Sequence, residues 1–191
     1  MEIFDIVDEN GKPTGETVTR KEAHEKGIRH RTAHIWIVRL RGGNYQVLLQ
    51  KRSENKDSFP GCYDTSSSGH IHAGDEPLES ALRELEEELG ISADKEDLHF
   101  AGNFVVDYEK KFHGKHFKDK EIAFVYVYNK NVELSDLVFQ KDEVSGAKWF
   151  DMDYVLSKME PRDPAFCVPK KGFLLAKKWC EEKECEAGGK N

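Results

Sequence analysis

No stretch of this chain approaches the roughly 20 apolar residues of a membrane-spanning helix, and its first residues, Met-Glu-Ile-Phe-Asp-Ile-Val-Asp, lack the basic-then-apolar order of a secretory leader. A cytoplasmic protein with no membrane partner is expected. Cys62, Cys167, Cys180 and Cys185 include no Cys-x-x-Cys pair and no histidine spacing of a zinc site, so they are expected to be reduced packing or surface thiols. Positive charge is also short, with 29 Lys and Arg against 36 Asp and Glu and a formal net charge of -7. Nonspecific binding to nucleic acid draws on broad basic surfaces and is not expected here. No internal repeat, low-complexity tract or long linker divides the 191 residues. A single domain spanning 1–191 is expected, and a chain of this size buries roughly 70% of its unfolded surface.

What is present reads as alternating strands and helices. Phe4–Val7 and Glu16–Val18 flank Asn10-Gly11, a hairpin signal because both turn residues tolerate positive φ. The polar segment Lys21–Gly27 predicts a short helix ended by its glycine. Ala33–Leu40 and Tyr45–Gln50 predict two strands around Gly42-Gly43-Asn44, and Phe100–Val106, Ile122–Tyr128 and Ala147–Phe150 predict three more. Asp151 can cap a short helix through Leu156, and Phe173–Cys180 predicts a terminal helix after Pro169. Strands before and after a central helix favour a mixed sheet covered by helices.

That central helix carries the strongest chemical signal. From Gly69 a Gly-rich turn is expected to lead into a helix in which Leu78, Ala81, Leu82, Leu85 and Leu89 form one apolar stripe. Glu84, Glu87 and Glu88 sit at i, i+3 and i+4, which predicts an acidic patch about one turn long on the opposite face. Like charges at that spacing repel, so the patch is either solvated or neutralised by a cation. Hard ions such as Mg2+ and Mn2+ prefer oxygen ligands and keep positions open for phosphate oxygens.

The segment Arg83-Glu84-Leu85-Glu86-Glu87-Glu88-Leu89-Gly90-Ile91 resembles the second half of the Nudix box at every defined position, and Gly69 falls at the box's first glycine. Asp75 stands where the family has Glu, a shorter carboxylate in a supporting role beside Arg83. The resemblance covers about residues 30–160 and implies an α/β fold, an alpha/beta/alpha sandwich with a mixed sheet. The N-terminal hairpin (1–29) and C-terminal helical extension (161–191) are additions that either pack on the core or mediate a homodimer.

The resemblance implies a hydrolase of a nucleoside diphosphate or other organic diphosphate that uses Mg2+ or Mn2+ held by Glu84, Glu87 and Glu88. Water attacks one phosphorus, with Glu84 or Glu121 as base. Within the family the chain is similar to the branch that includes isopentenyl-diphosphate isomerases. The similarity rests on Ala23-His24, His30-Arg31, Leu49-Gln50-Lys51-Arg52, Phe59-Pro60-Gly61 and Gly69-His70. That branch implies diphosphate contacts at Arg52 and Lys56, a ligand position at His70, and further carboxylates at Asp119 and Glu121. The isomerase's cysteine is Ser68 here, and a hydroxyl does not replace a thiol of much lower pKa in proton transfer at carbon. Glu84 also fills a position that the isomerases leave without a carboxylate. Hydrolysis is therefore favoured, with an isomerase and a non-catalytic nucleotide sensor as alternatives. Asp107–Lys120, bearing Lys110, Lys111, His113, Lys115, His116 and Lys118 among Tyr108, Phe112 and Phe117, joins two predicted strands and reads either as a soluble, mobile hairpin loop or as a loop that reaches over the site to meet the substrate. Glu143 is expected to line the pocket, and Trp149 to pack in the core.

Overall fold

The computed structural model describes residues 2–56, 58–112 and 114–188. The chain opens with an antiparallel hairpin of β1 (Ile3–Val7) and β2 (Pro13–Thr19), turned where Asp8 Oδ1 accepts the amides of Asn10 and Lys12. Thr19 then caps α1 (Arg20–Lys26) by accepting from the Glu22 amide, and Gly27 ends it at φ 69°. β3 (His30–Arg41) and β4 (Asn44–Arg52) form a hairpin closed by Gly42 and Gly43, both at positive φ. β5 (Ser67–His70) and α2 (Pro77–Leu89) follow, then β6 (Leu98–Phe112), β7 (Lys115–Tyr128), β8 (Val144–Asp151), α3 (Met152–Ser157) and α4 (Lys170–Gly188).

The larger sheet runs β6-β7-β3-β4-β8, with β5 paired to β3. β3 and β7 are parallel and every other pair is antiparallel, so the sheet is mixed as expected. Side chains of β3 alternate between two cores. Trp36 and Val38 join Phe173, Ala176 and Cys180 of α4, while Ile35 and Ile37 join Ala81, Leu85 and Leu89 of α2. Helices therefore cover both faces, and the fold is the alpha/beta/alpha sandwich.

Two expectations are corrected. Ser67–His70 is a strand rather than the start of a turn, pairing Thr32 with His70 and Ala33 with Gly69. Its Ser-Ser-Gly-His sequence has little strand propensity, and pairing with β3 overrides it. Asp107–Lys120 is not a loop either. The β6–β7 ladder continues through Tyr108↔Asp119 to Phe112↔Lys115, carrying the hairpin well beyond the start of β3, where His30 pairs with Glu121. His113 lies outside the described residues.

The pairing of β3 positions the site. Its second half, Ile37–Arg41, pairs with β4, whereas Thr32–Ile35 pair with β5. β4 diverges from the start of β3 and leaves a cleft bounded by β5, α2 and the long β6–β7 hairpin. The N-terminal hairpin packs against this region, with Val7 donating to the Arg29 carbonyl and Ala73 donating to that of Ile3. Phe4 is wholly buried there.

Candidate functional site

The cleft encloses about 1110 Å³ and is lined by Glu84, Glu87 and Glu88 of α2, Gly69 and His70 of β5, and Asp119 and Glu121 of β7. Arg52, Lys56 and Glu143 also line it. α2 begins with Pro77 at its first turn and ends at Gly90 (φ 71°), whose amide bonds the carbonyls of Glu86 and Leu85. Ala81, Leu85 and Leu89 are fully buried against the sheet. Of the two alternatives left open for the acidic patch, a fully solvated face is excluded. Glu84 and Glu88 are 9% and 4% exposed, and only Glu87 reaches solvent.

Burial pushes Glu84 up to about 7, with Glu87 adding to the shift against the opposing guanidinium of Arg83. Burial, and then the neighbouring Glu84, push Glu88 up to about 8. The Ser68 amide donates to Glu88 Oε2 at 3.1 Å and Gln50 Nε2 donates to the same oxygen at 3.3 Å. Ser68 thus contributes backbone to this site. Arg83 Nη1 donates to Glu84 (2.8 Å) and Glu87 (3.3 Å), and its Nη2 to the His70 carbonyl (3.2 Å). Asp75 takes no part in that set. Its carbonyl accepts from Arg31 instead, and its carboxylate lies 3.9 Å from His72.

Arg52 is spoken for by two neighbours that supply three acceptors: Nη1 donates to Asp64 at 3.0 Å, Nε to the Ser58 carbonyl, and Nη2 to the Ser58 hydroxyl. Lys56 is paired with Glu143. Trp149 packs on the core with Arg39 stacked over it at 4.0 Å.

A second constellation reaches the same cleft through His70, Asp119 and Glu121, the further ligand positions that the resemblance implies, and is backed by His24 and His30, which the sequence left unassigned. His24 of α1, His30 of β3 and His70 of β5 bring ring nitrogens within 4.8 Å of one another, and one ring nitrogen of His30 and a carboxylate oxygen each of Asp119 and Glu121 converge as closely. Among the described residues these are the groups of three or more His, Cys, Asp or Glu that converge so closely. His30 Nδ1 lies 2.9 Å from the Ile28 carbonyl, which leaves Nε2 facing Glu121 Oε1 at 3.5 Å. His70 Nε2 is also 3.5 Å from that oxygen and 3.2 Å from His24 Nε2. Phe4 stacks on His70 and His30 at 4.6 and 5.0 Å.

Burial drives His24 down to about 4, helped by His30, and holds His70 well below its ordinary value, so both rings are neutral at pH 7. Burial works against charge on Glu121 too, yet the adjoining rings of His30 and His70 keep it well below the usual carboxylate range. Thr32 donates to its second oxygen at 3.0 Å. Asp119 is raised by burial and by the charge of Glu121. Nε2 of His30 and Oδ1 of Asp119 are buried without a hydrogen-bond partner. Neutral imidazoles, an ionised carboxylate and orphaned inward-facing atoms are what a divalent cation needs.

Of the other described histidines, His34 and His72 line the cleft without joining the cluster, His99 stacks on Trp179 and His116 pairs with Glu109. Cys62, Cys167, Cys180 and Cys185 are all free thiols, Cys180 inside the core. No described helix is long and apolar enough to cross a membrane.

The NUDIX domain family matches residues 29–167. An uncharacterised Nudix hydrolase of Clostridium acetobutylicum is 39% identical over 153 residues, covering 80% of this chain and 71% of that protein. Nudix hydrolase 3 of Arabidopsis thaliana is 39% identical over 167 residues, covering 86% of this chain. The chain spans only 21% of that longer plant protein. The crystal structure of DR0079 from Deinococcus radiodurans superposes with a TM-score of 0.68 at 18% identity, covering 92% of this chain and 98% of that one.

Proposed function

The chain belongs to the Nudix family, a family of hydrolases of phosphorus anhydrides, and on that premise we propose that it cleaves a nucleoside diphosphate or other organic diphosphate with the help of Mg2+ or Mn2+. The observation that carries this reading is the pair of buried carboxylates, Glu84 and Glu88, raised to about 7 and 8 in a cleft large enough for a substrate. Two carboxylates this strongly desolvated destabilise the empty fold unless a proton or a cation sits with them.

Glu84, Glu87 and Glu88 would hold a cation against the diphosphate, and His24, His30, His70, Asp119 and Glu121 fit a second. When bound, such an ion neutralises phosphate charge and makes water more acidic. The chain's own residues do the rest. Lys56 exchanges Glu143 for a phosphate oxygen, and Arg52, fixed by Asp64 and Ser58, presents a rigid positive edge. Arg83 locks Glu84 to Glu87 and to the β5 backbone. Glu84 is favoured over Glu121 as the base. Both oxygens of Glu121 are engaged by His30, His70 and Thr32, whereas Arg83 engages only Oε1 of Glu84.

The test is phosphate or monophosphate release, with and without Mg2+, over nucleoside diphosphates, nucleotide sugars, dinucleoside polyphosphates, coenzyme A, NADH and prenyl diphosphates. Cation-dependent release that Glu88→Gln abolishes is the expected result. Formation of dimethylallyl diphosphate from isopentenyl diphosphate, or nucleotide binding with no turnover of any compound, would overturn it.

A further inference from the structure

The loop 53–61, strand β6 and the connection between α3 and α4 are distant in sequence, yet each sends a side chain to one point on the cleft. Lys110 Nζ lies 4.7 Å from the centroid of the Phe59 ring, and the Arg162 guanidinium carbon lies 5.5 Å from the same centroid. Phe112 and Tyr108 meet that ring edge-on, at 5.1 and 6.4 Å between centroids. Phe59 is also the one non-glycine residue at positive φ (48°) among the described residues. For a bulky side chain such backbone costs roughly 1–3 kcal/mol and persists only where the surroundings enforce it. Here they do. Arg52 grips Ser58 through two donors, the Gly61 amide bonds the Arg52 carbonyl, and the Cys62 amide bonds that of Phe59.

The two cations at this ring have no carboxylate partner among the described residues. Three acids of the neighbouring segments are taken by other cations: Glu109 by His116, Asp163 by Lys158 and Glu160 by Lys170. Arg162 Nε meets only the Phe166 carbonyl. Each cation gains about 0.5–1 kcal/mol from an aromatic face at an exposed site, which offsets part of the repulsion between them but supplies no counter-charge. In a chain of net charge -7, two cations without a carboxylate partner among the described residues stand out in a cleft that also holds Glu84, Glu88 and Glu121. The cleft also exceeds the roughly 300–1,000 Å³ of ordinary small-molecule sites. A diphosphate at Glu84, Glu88 and Lys56 therefore leaves room for an organic portion that reaches Phe59.

We propose that Phe59, Lys110 and Arg162 form a second anion subsite that takes a phosphate on the organic side of the substrate, remote from the scissile diphosphate. The proposal rests on the hydrolase reading above and narrows it to diphosphates that carry an additional phosphate elsewhere. Arg162 supplies the planar fork suited to phosphate and Lys110 a point charge, while Phe59 fixes where both lie.

Matched pairs test this: coenzyme A against dephosphocoenzyme A, and NADPH against NADH, each compared by kcat/KM. The phosphorylated member of at least one pair should be favoured about tenfold or more, chiefly through KM. Arg162→Ala and Lys110→Ala should each erase most of that preference and leave the unphosphorylated member within about twofold of the unsubstituted protein. Equal kcat/KM within every pair that is cleaved, or variants that slow both members alike, would sink the subsite and leave the hydrolase reading standing. Titration calorimetry of adenosine 3',5'-bisphosphate against AMP reads the subsite without turnover. The bisphosphate should bind more tightly, and Arg162→Ala should remove the difference. If no diphosphate is cleaved yet that difference holds, the hydrolase reading fails while the subsite survives; if it is missing, the subsite is refuted.

Discussion

Gly69 and Glu84 share one space: a β-carbon on Gly69 would fall 2.1 Å from Cδ of Glu84 and 2.2 and 2.4 Å from its two oxygens. Glycine at this strand position is a condition for where the carboxylate rests. Gly69→Ala is expected to cost about 1–3 kcal/mol of stability through overpacking, and on the order of a hundredfold in kcat because a displacement near 1 Å is enough to misplace a reacting group. Urea denaturation and steady-state kinetics on the same preparation check both numbers. Unchanged turnover would show that Glu84 need not occupy its observed place.

The two neighbouring glutamates should respond differently to neutralisation. Glu88 is buried and pushed up to about 8, whereas Glu87 is half exposed and paired with Arg83. Glu88→Gln is expected to raise the thermal midpoint of the cation-free protein while lowering turnover at least about a hundredfold. Glu87→Gln should lower turnover comparably and leave the midpoint nearly unchanged, since a solvated pair contributes about 0–1 kcal/mol. Full activity in Glu87→Gln would remove that residue from the site.

Stability without divalent ions should fall on the alkaline side of neutrality. Glu84 and Glu88, raised in the fold, hold protons that the unfolded chain has released, so their contribution is present at low pH and lost as pH rises through about 7 and 8. His24 and His70 are depressed in the fold, and their contribution is present above the unfolded value and lost as pH falls toward about 4 for His24. The urea midpoint in EDTA should therefore fall from about pH 7 to about pH 9, and change little between about pH 5 and pH 6.5, where the carboxylates and the imidazoles pull in opposite directions. Added Mn2+ should reverse the alkaline fall by taking the place of the protons. A midpoint that climbs on the alkaline side in EDTA would contradict the burial of the two carboxylates.

Phe4 ties the N-terminal hairpin to the histidines by stacking on His30 and His70. Phe4→Ala is expected to destabilise the fold by about 3–5 kcal/mol. Phe4→Leu keeps most of the buried volume but loses the ring, so it should fold while weakening Mn2+ binding in calorimetry. Wild-type affinity in Phe4→Leu would make the stacking incidental to the cluster.

Most of the secondary structure was legible because it is written in local signals. Asn10-Gly11 and Gly42-Gly43 fix two hairpins, Gly27 and Gly90 end two helices, and the Leu78–Leu89 stripe defines the helix face that is buried. Ser67–His70 gave no such signal, since a strand made of serine and glycine is specified by its partner rather than by itself. Reading Asp107–Lys120 as a loop had a similar origin. Its many lysines suggested solvent, while the alternation of Tyr108, Lys110 and Phe112 carried the period-two clue that it remains a strand. Glu84 and Glu88 were legible as a pair, but not their burial, because helical spacing shows which residues share a face and not what covers it. The histidine cluster draws on residues 24, 30, 70, 119 and 121 from four elements. His30 meets Glu121 only because β3 and β7 pair in that register.

The family match begins at residue 29, yet His24 and Phe4 precede it. The leading segment therefore hands one imidazole, and the aromatic floor beneath two others, to a cavity whose glutamate helix lies wholly inside the matched stretch. Under the proposed function, ion preference would then depend partly on residues outside the matched stretch, whereas anhydride cleavage would rest on the helix within it. Exchanging the leading segment between relatives offers evolution a way to retune the first without rewriting the second.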